Sequence, residues 1–502
     1  MKLFKKLASF ILAFAMVMAI AMPSVVMAAD TTYKLTLQNT VEGHTYEVYQ
    51  VFSGTLSTKD NKKVLSDLKW GSGVKADAYT ETAKTKAETL KDETTARAFA
   101  KELVDQDKLS TATKTVQSVA GTTEIAGLAA GYYLVKDTDG SLKNKPDSYT
   151  AYILQVVGDA TTSVKSDVPS SEKKVKDIND STDTDTTGWQ DAADWDIGDE
   201  VPFKIEGTLP SNYDKYKTYT LKFHDKEEEG LTFKPESVRV YIDDVEIKTG
   251  FEVVENPNDG DTFDVVFENL KTTSATNGSK VRVEYKSALN GNAHLGKPGN
   301  KNTMYMEFSN NPNNEQGGET ETGKTPEDTV IVFTYKVSVN KVNENNEKLD
   351  GAEFTLEKKV KKNTNPDEYE WKPITKVAGT ASDVFEFNGI DDGEYRLTET
   401  KAPDNYDKLS DPIYFTVTAG HVDGAAPYLN TFSGNIDSGN VGEMAFTADK
   451  DTGILSTTIQ NKPGSSLPET GGMGTTVLYA AGTLMILAAA AFLVMKKKAE
   501  SK

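Results

Sequence analysis

The sequence predicts a mainly β protein: a tandem array of β-sandwich domains, with some helix in the first. Three observations carry this. Segments such as Tyr46-Glu47-Val48-Tyr49-Gln50-Val51-Phe52, Val238-Arg239-Val240-Tyr241-Ile242 and Tyr335-Lys336-Val337-Ser338-Val339 alternate, or are rich in β-branched and aromatic residues, as strands are. Turn signals recur between them, at Asp139-Gly140, Asp259-Gly260, Asp350-Gly351 and Asp392-Gly393. The stretch from Ala76 to Asp107 departs from the pattern: it is rich in Ala, Lys and Glu, and sets Leu90, Ala96, Phe99, Ala100 and Leu103 at helical spacing.

A length of 502 residues suits several domains. Two stretches have linker composition. One lies between Val164 and Lys176, around Pro169-Ser170-Ser171. The other lies between Asn310 and Thr329, around Pro312-Asn313-Asn314-Glu315 and a Gly/Glu/Thr-rich run. They divide the chain into domains at 29–168, 169–325 and 326–464, flanked by a leader at 1–28 and a tail at 465–502.

Composition excludes several functions. With 76 acidic against 56 basic residues the net charge is −20, which repels phosphate and disfavours nucleic acid as a partner. There is no cysteine, hence no disulfide, no thiolate metal site and no Cys nucleophile. The four histidines, His44, His224, His294 and His421, are isolated and show no metal-ligand spacing, so no metal and no cofactor is expected. No Ser-His-Asp order, paired-carboxylate cleft or Gly-rich phosphate loop stands out, and no turnover enzyme is expected. The acidic pair Asp391-Asp392 reads as a plain turn rather than a calcium loop.

Both ends carry export signals. Met1-Lys2-Leu3-Phe4-Lys5-Lys6, an apolar run from Leu7 to about Met22, and the small residues of Val26-Met27-Ala28-Ala29 form a signal-peptide pattern, with cleavage expected after Ala28 or Ala29. At the other end, Leu467-Pro468-Glu469-Thr470-Gly471 precedes an apolar stretch from Thr475 to Met495, long enough to cross a bilayer. Lys496, Lys497 and Lys498 follow and keep the tail inside. This order resembles the LPXTG cell-wall sorting signal. The resemblance implies that a sortase attacks the carbonyl of Thr470, expels Gly471 and passes Thr470 to an amine. Pro468 fixes its own φ and biases Leu467 away from helix, which presents the signal as an extended peptide.

The third domain resembles the SpaA-type, Cna-B-like pilin domain. The likeness rests on Val339-Asn340-Lys341-Val342 with Leu349-Asp350-Gly351-Ala352-Glu353-Phe354, on Tyr395-Arg396-Leu397-Thr398-Glu399-Thr400-Lys401-Ala402-Pro403, and on Ile459-Gln460-Asn461-Lys462-Pro463. It implies an immunoglobulin-like sandwich in which Lys341 forms an amide bond with Asn461 beside Glu399. Burial would free the Lys amine as nucleophile, and the acid would polarise the Asn carbonyl and shuttle protons as ammonia leaves. This happens once per molecule, as maturation.

The middle domain resembles the isopeptide-forming fimbrial domain through Glu172-Lys173-Lys174-Val175-Lys176-Asp177, Trp195-Asp196-Ile197-Gly198-Asp199-Glu200-Val201-Pro202-Phe203, Phe223-His224-Asp225, Gly230-Leu231 and Glu307-Phe308-Ser309-Asn310-Asn311-Pro312. The resemblance points to Asp225 as the acid, to Asn310 ahead of Asn311, and to Lys173 ahead of Lys174. Such bonds, expected to run from first to last strand, would take the place of disulfides. A cross-link closing about 120 residues is worth roughly 5 kcal/mol.

In the first domain, Gly43-His44-Thr45-Tyr46-Glu47-Val48-Tyr49 and Leu128-Ala129-Ala130-Gly131-Tyr132-Tyr133-Leu134-Val135 resemble the N-terminal domain of backbone pilins, without a Lys/acid/Asn set. Ser163-Val164-Lys165-Ser166-Asp167-Val168-Pro169 occupies the place of the pilin motif, and Lys165 matches its central Lys. The Tyr, Pro and Asn of that motif are absent here, and Lys143, Lys145 and Lys174 stay open as alternatives. The implied protein is a shaft subunit of a covalent surface pilus in a Gram-positive bacterium. Its partners would be sortase, further copies of itself, minor pilins, peptidoglycan and host surface ligands. The alternative is a wall-anchored minor or basal pilin or an adhesin.

Overall fold

The structure is a computed structural model. It describes residues 31–499 apart from 60–61, 146, 165–166, 183–187, 313–321, 363, 365, 379, 440–443 and 465–472. The signal peptide, Lys165 and the Leu467–Gly471 pentapeptide therefore lie outside the described residues.

Strands dominate, as the alternation predicts, and they form three pairs of sheets. In the first domain, a five-stranded sheet built on Thr45–Lys59 and Gly131–Asp137 faces a three-stranded sheet in which Tyr33–Thr40 is central. Two helices interrupt it, Ala83–Thr89 and Glu93–Asp105. Thr82 caps the first by accepting from the Thr85 N–H, and Asp92 forms a capping box with Thr95 at the second. Leu90, Ala96, Phe99, Ala100 and Leu103 are all buried. Phe99 stacks on Phe52 at 5.8 Å, so the helical spacing places its apolar stripe on the sheet.

The middle domain packs two six-strand rows around one aromatic-rich core. One row runs Trp189–Gln190, Ser170–Lys176, Glu200–Thr208, Lys280–Leu289, Leu231–Ile242, Val245–Ile247. The other runs Ala192–Asp194, Asp328–Phe333, Asn300–Ser309, Leu221–Glu227, Phe263–Phe267, Glu252–Glu255, with Thr322–Lys324 also on Asn300–Ser309. Asp328–Phe333 thus belongs to the middle sandwich: it pairs with Asn300–Ser309 and, in parallel, with Ala192–Asp194. The expected boundary at 325/326 follows the polar linker composition, but the chain returns to complete this sheet before the third sandwich opens at Tyr335.

The third domain sets Val384–Ile390, Tyr335–Val342, Ile454–Gln460 and Thr447–Asp449 against Glu368–Ile374, Glu353–Lys362, Gly393–Lys401, Ile413–Val422 and Tyr428–Ser438. Its first and last long strands, Tyr335–Val342 and Ile454–Gln460, lie side by side in parallel, with Lys341 opposite Ile459. It joins the middle domain closely. The Lys297 N–H donates to the Asp451 carbonyl at 3.0 Å, and the Ile197 N–H to that of Gly389 at 3.0 Å. A Cβ on Gly296, which sits at φ +60°, would come within 2.2 Å of the Gly453 nitrogen, so only glycine permits this approach.

Beyond the third domain a helix spans Met473–Ala499. Its stretch Val477–Lys498 is long and apolar enough to cross a membrane and is not buried against the protein.

Candidate isopeptide sites in the second and third domains

In the third domain the strand period turns Lys341 inward, where it is fully buried. The neighbouring strand delivers Asn461 one residue past its end, held by an Asn461 N–H bond of 3.0 Å to the Val342 carbonyl. Glu399 comes from Gly393–Lys401 in the facing sheet and is 2 % exposed. Its Oε1 accepts from Asn461 Nδ2 at 2.9 Å and lies 4.0 Å from Lys341 Nζ, while its Oε2 accepts from the Leu409 N–H at 2.8 Å. Lys341 Nζ donates to the Ile459 carbonyl at 3.1 Å. Burial, opposed only by Glu399, pulls the Lys341 amine down to about 8 from its ordinary 10.5. Asn461 Oδ1 is buried with no hydrogen-bond partner among the described residues. Such a group is costly to leave unpaired, and an amide carbonyl held this way is open to polarisation and attack. The three residues the resemblance singled out thus converge in one dry pocket.

The middle domain presents a second constellation. Lys173 and Asp225, both fully buried, are in direct contact across the two sheets. Lys173 Nζ also donates to the Tyr285 hydroxyl at 2.6 Å, which in turn donates to Asp225 Oδ2 at 2.9 Å. The rings of Phe203 and Tyr285 flank the ammonium position at 5.4 and 5.1 Å. Burial lowers the Lys173 pKa despite the neighbouring carboxylate, and raises that of Asp225 despite the neighbouring amine. Desolvation outweighs the Coulomb attraction, so the pair leans towards a neutral amine and a neutral acid, the forms nucleophilic attack requires. Glu227, lifted to about 8 by burial and by Asp225, stands beside them. Lys174, one residue on, points to the opposite face and pairs with Asp191. That placement separates the two lysines the sequence left open.

The expected asparagine does not join this set. Asn310 follows the end of strand Asn300–Ser309, where its carbonyl accepts from the Tyr149 N–H at 2.8 Å and its Nδ2 donates to the Leu142 carbonyl at 3.2 Å. It fastens the middle domain to the first. Asn302 stands beside the lysine instead. It is fully buried, and its Nδ2 donates to the Tyr285 hydroxyl at 2.9 Å and to Glu227 Oε1 at 3.3 Å, while its Oδ1 has no partner among the described residues. Eight residues at about 3.3 Å each put Asn302 and Asn310 roughly 26 Å apart along the strand. The signal was in the alternation: Asn300, Asn302, Met304, Met306 and Phe308 share the inward face, and an amide amid apolar residues is the anomaly. Asn300, the other inward amide, is satisfied by the His294 and Val332 backbone. With Asn302 the tie would run to Asn300–Ser309, not to the last strand as expected, since Thr322–Lys324 and Asp328–Phe333 follow.

In the first domain Lys136 is buried against Glu47 at 3.2 Å, Asp139 at 2.7 Å and the Tyr149 hydroxyl at 3.3 Å, with no asparagine side chain among these contacts. Of the alternative linking lysines, Lys145 Nζ donates to the Gly43 carbonyl, and Lys143 is exposed in a turn.

Comparison with known proteins places these sites in context. Residues 335–426 match the family of SpaA prealbumin-like fold domains, and 459–502 match the LPXTG cell wall anchor motif. The trypsin-resistant surface T6 protein of Streptococcus pyogenes is 26 % identical over 300 residues, 56 % of this chain and 50 % of that protein. The chain thus matches about half the length of that curated relative. The solved T6 backbone pilin of serotype M6 Streptococcus pyogenes, described as a modular three-domain structure, superposes with a TM-score of 0.57 at 20 % identity, covering 88 % of this chain and all of that one. The chain resembles Gram-positive backbone pilins. The full-length major pilin SpaD of Corynebacterium diphtheriae aligns over 86 % of this chain and 98 % of its own, at 18 % identity and a TM-score of 0.49. The T6 superposition supports the mainly β, three-sandwich architecture. The two motif matches bring a SpaA-type domain and a cell-wall anchor, and the proteins resembled are structural pilins rather than enzymes.

Proposed function

We propose that the chain is a structural subunit of a covalently polymerised surface pilus, exported and held at the cell wall of a Gram-positive bacterium. The observation that carries this reading is a pair of dry sites, each with a buried lysine, an acid and an asparagine whose carbonyl is unpaired, in a chain ending on a wall-anchor motif. In each site the Lys Nζ attacks the Asn Cγ, the acid passes a proton to the departing nitrogen, and one ammonia leaves per amide formed. The third domain would link Lys341 to Asn461 beside Glu399; the middle domain would link Lys173 to Asn302 beside Asp225. Sortase would cut between Thr470 and Gly471 and join Thr470 to Lys165 of the next copy, with minor pilins and peptidoglycan as further acceptors and host surface ligands as the outward partners.

The test is an immunoblot of surface protein boiled in detergent, from cells expressing this chain or its Lys165→Ala variant. A ladder of high-mass bands that collapses to monomer in the variant supports the shaft reading and its linking lysine. A ladder that persists moves the linkage to another lysine, with Lys143 and Lys145 next. A single band in both overturns polymerisation and leaves a wall-anchored minor pilin or adhesin.

A further inference from the structure

Where the second and third domains meet, carboxylates outnumber cations. The middle domain contributes Asp177, Asp180, Asp194, Asp196 and Asp199; the third contributes Asp391 and Asp392 in the turn before Gly393–Lys401. Hydrogen bonds from main chain and side chain bind the two sets together. The Asp391 N–H donates to Asp196 Oδ1 at 3.0 Å, and the Asp392 N–H to Asp194 Oδ2 at 2.8 Å. The Asn179 amide donates to Asp392 Oδ1 at 2.8 Å, and the Lys361 N–H to the Asp180 carbonyl at 2.9 Å.

Lys358, on Glu353–Lys362, is the ammonium these carboxylates share. It contacts Asp391 directly, Asp196 at 2.9 Å and Asp180 at 3.6 Å, and is itself 1 % exposed. The other basic groups facing the cluster add little charge. Lys174 is engaged by Asp191 and Lys359 by Glu394, while Lys372 reaches Asp199 only at longer range. His421, on Ile413–Val422, stacks on Phe333 and lies 3.8 Å from Asp177 and 3.7 Å from Asp194; burial lowers it to about 4 from 6.5, so this one group gives up a proton on docking and offsets part of the uptake in that range.

The geometry disfavours full ionisation. The nearest side-chain oxygens of Asp180, Asp196 and Asp199 lie within 4.8 Å of one another, and those of Asp177 and Asp194 are equally close. Like charges at that separation in a half-dry site favour retention of a proton. We propose that the second and third domains dock with net uptake of protons by this cluster, so that the joint tightens in acid and loosens as pH rises. The carboxylates agree in direction: burial and then neighbouring carboxylates raise Asp194 and Asp391, and burial raises Asp392. Asp199 is lifted to about 6 by burial, Asp196 and Asp180. An acid raised on docking favours the docked state fully below its free value, and the advantage is lost as pH rises through the docked value. The window therefore opens near pH 4 and passes through about 6 for Asp199, with Asp391 and Asp194 moved in the same direction.

Hydrogen exchange on the mature chain tests this. Protection factors of the Asp391, Asp392 and Lys361 amides, which bond across the joint, are compared between pH 5 and pH 8 with that of Phe387 in the third-domain core. The joint amides should lose up to about tenfold protection per pH unit for each proton taken up, while Phe387 stays constant. Asp199→Asn should flatten the profile between pH 5 and pH 7. Joint protection that is flat or rising with pH, or a fall shared equally by Phe387, overturns the proposal. The wild-type profile decides this even where the variant fails to fold.

Discussion

The second and third domains place a lysine, an acid and an asparagine in dry cores by different routes. In the third, Lys341 and Asn461 sit on adjacent parallel strands of one sheet, and the acid reaches over from the other sheet to grip the asparagine. In the second, Lys173 belongs to one sheet while Asp225 and Asn302 belong to the other, and the acid grips the lysine. A tie at the first site would lock the opening strand to the closing one. A tie at the second would bolt the two sheets together. The chemistry needs an unsolvated amine, an acid and a carbonyl with no competing donor; it does not fix which partner the acid holds.

The largest test of this contrast deletes the amide acceptors. Measured by intact mass against the value its own sequence gives, each of Asn302→Ala and Asn461→Ala should show one ammonia loss fewer than the wild-type protein. Each should lose roughly 5 kcal/mol, the worth of closing a loop of about 120 to 130 residues. For domains of this size that lowers Tm by about 10–20 °C in the transition of the affected domain, read by calorimetry. Asn310→Ala should leave both the mass and the middle-domain transition of the tied state intact. Loss of the tie in that variant would return the role to Asn310.

Removing the acids comes next. Asp225→Asn and Glu399→Gln keep every bond-forming atom but should leave the amide unformed in their own domain, with the other domain tied as before. A tied Glu399→Gln protein would mean that burial of Lys341 suffices without an acid.

A smaller effect separates the sites by pH. In the untied Asn461→Ala protein Lys341 stays near 8 when folded and near its ordinary 10.5 when unfolded. The folded state binds fewer protons in that window, so stability rises with pH between about 8 and 10.5 and is lowest below 8. Denaturant unfolding should therefore find the variant more stable at pH 9.5 than at pH 7.5. The same denaturation on Asn302→Ala tests whether Lys173, held in contact with Asp225, follows a different profile.

The smallest expected effect is that of Lys174→Ala. The side chain is a quarter exposed and its pair with Asp191 is partly solvated, so the change should cost under about 1 kcal/mol and leave both ties in place.

Much of this was legible in the chain itself. Period-two alternation and Asp-Gly turns announce sandwiches because strands expose alternate faces and need residues that tolerate tight reversal. The helical spacing of Phe99 and Leu103 marks a stripe that has to be buried. Lys341, Glu399 and Asn461 could be named because each lies in a segment that resembles one of the SpaA-type domain's motifs. Apolar span, basic tail and pentapeptide are contiguous, so no folding is needed to read them. What the tertiary structure alone decided is which residues meet across sheets. Asn302 and Asn310 are both asparagines of one strand region, and only the pairing of that strand with Leu221–Glu227 brings Asn302 opposite Glu227 and beside Tyr285 and sends Asn310 to the first domain. The same holds for Asp328–Phe333, whose linker-like approach conceals a strand of the middle sheet, and for the crowd of carboxylates around Lys358, which lie far apart in the chain. Local pattern follows from the backbone's own periodicity, whereas contact between distant segments depends on how whole sheets stack, and no single segment encodes that.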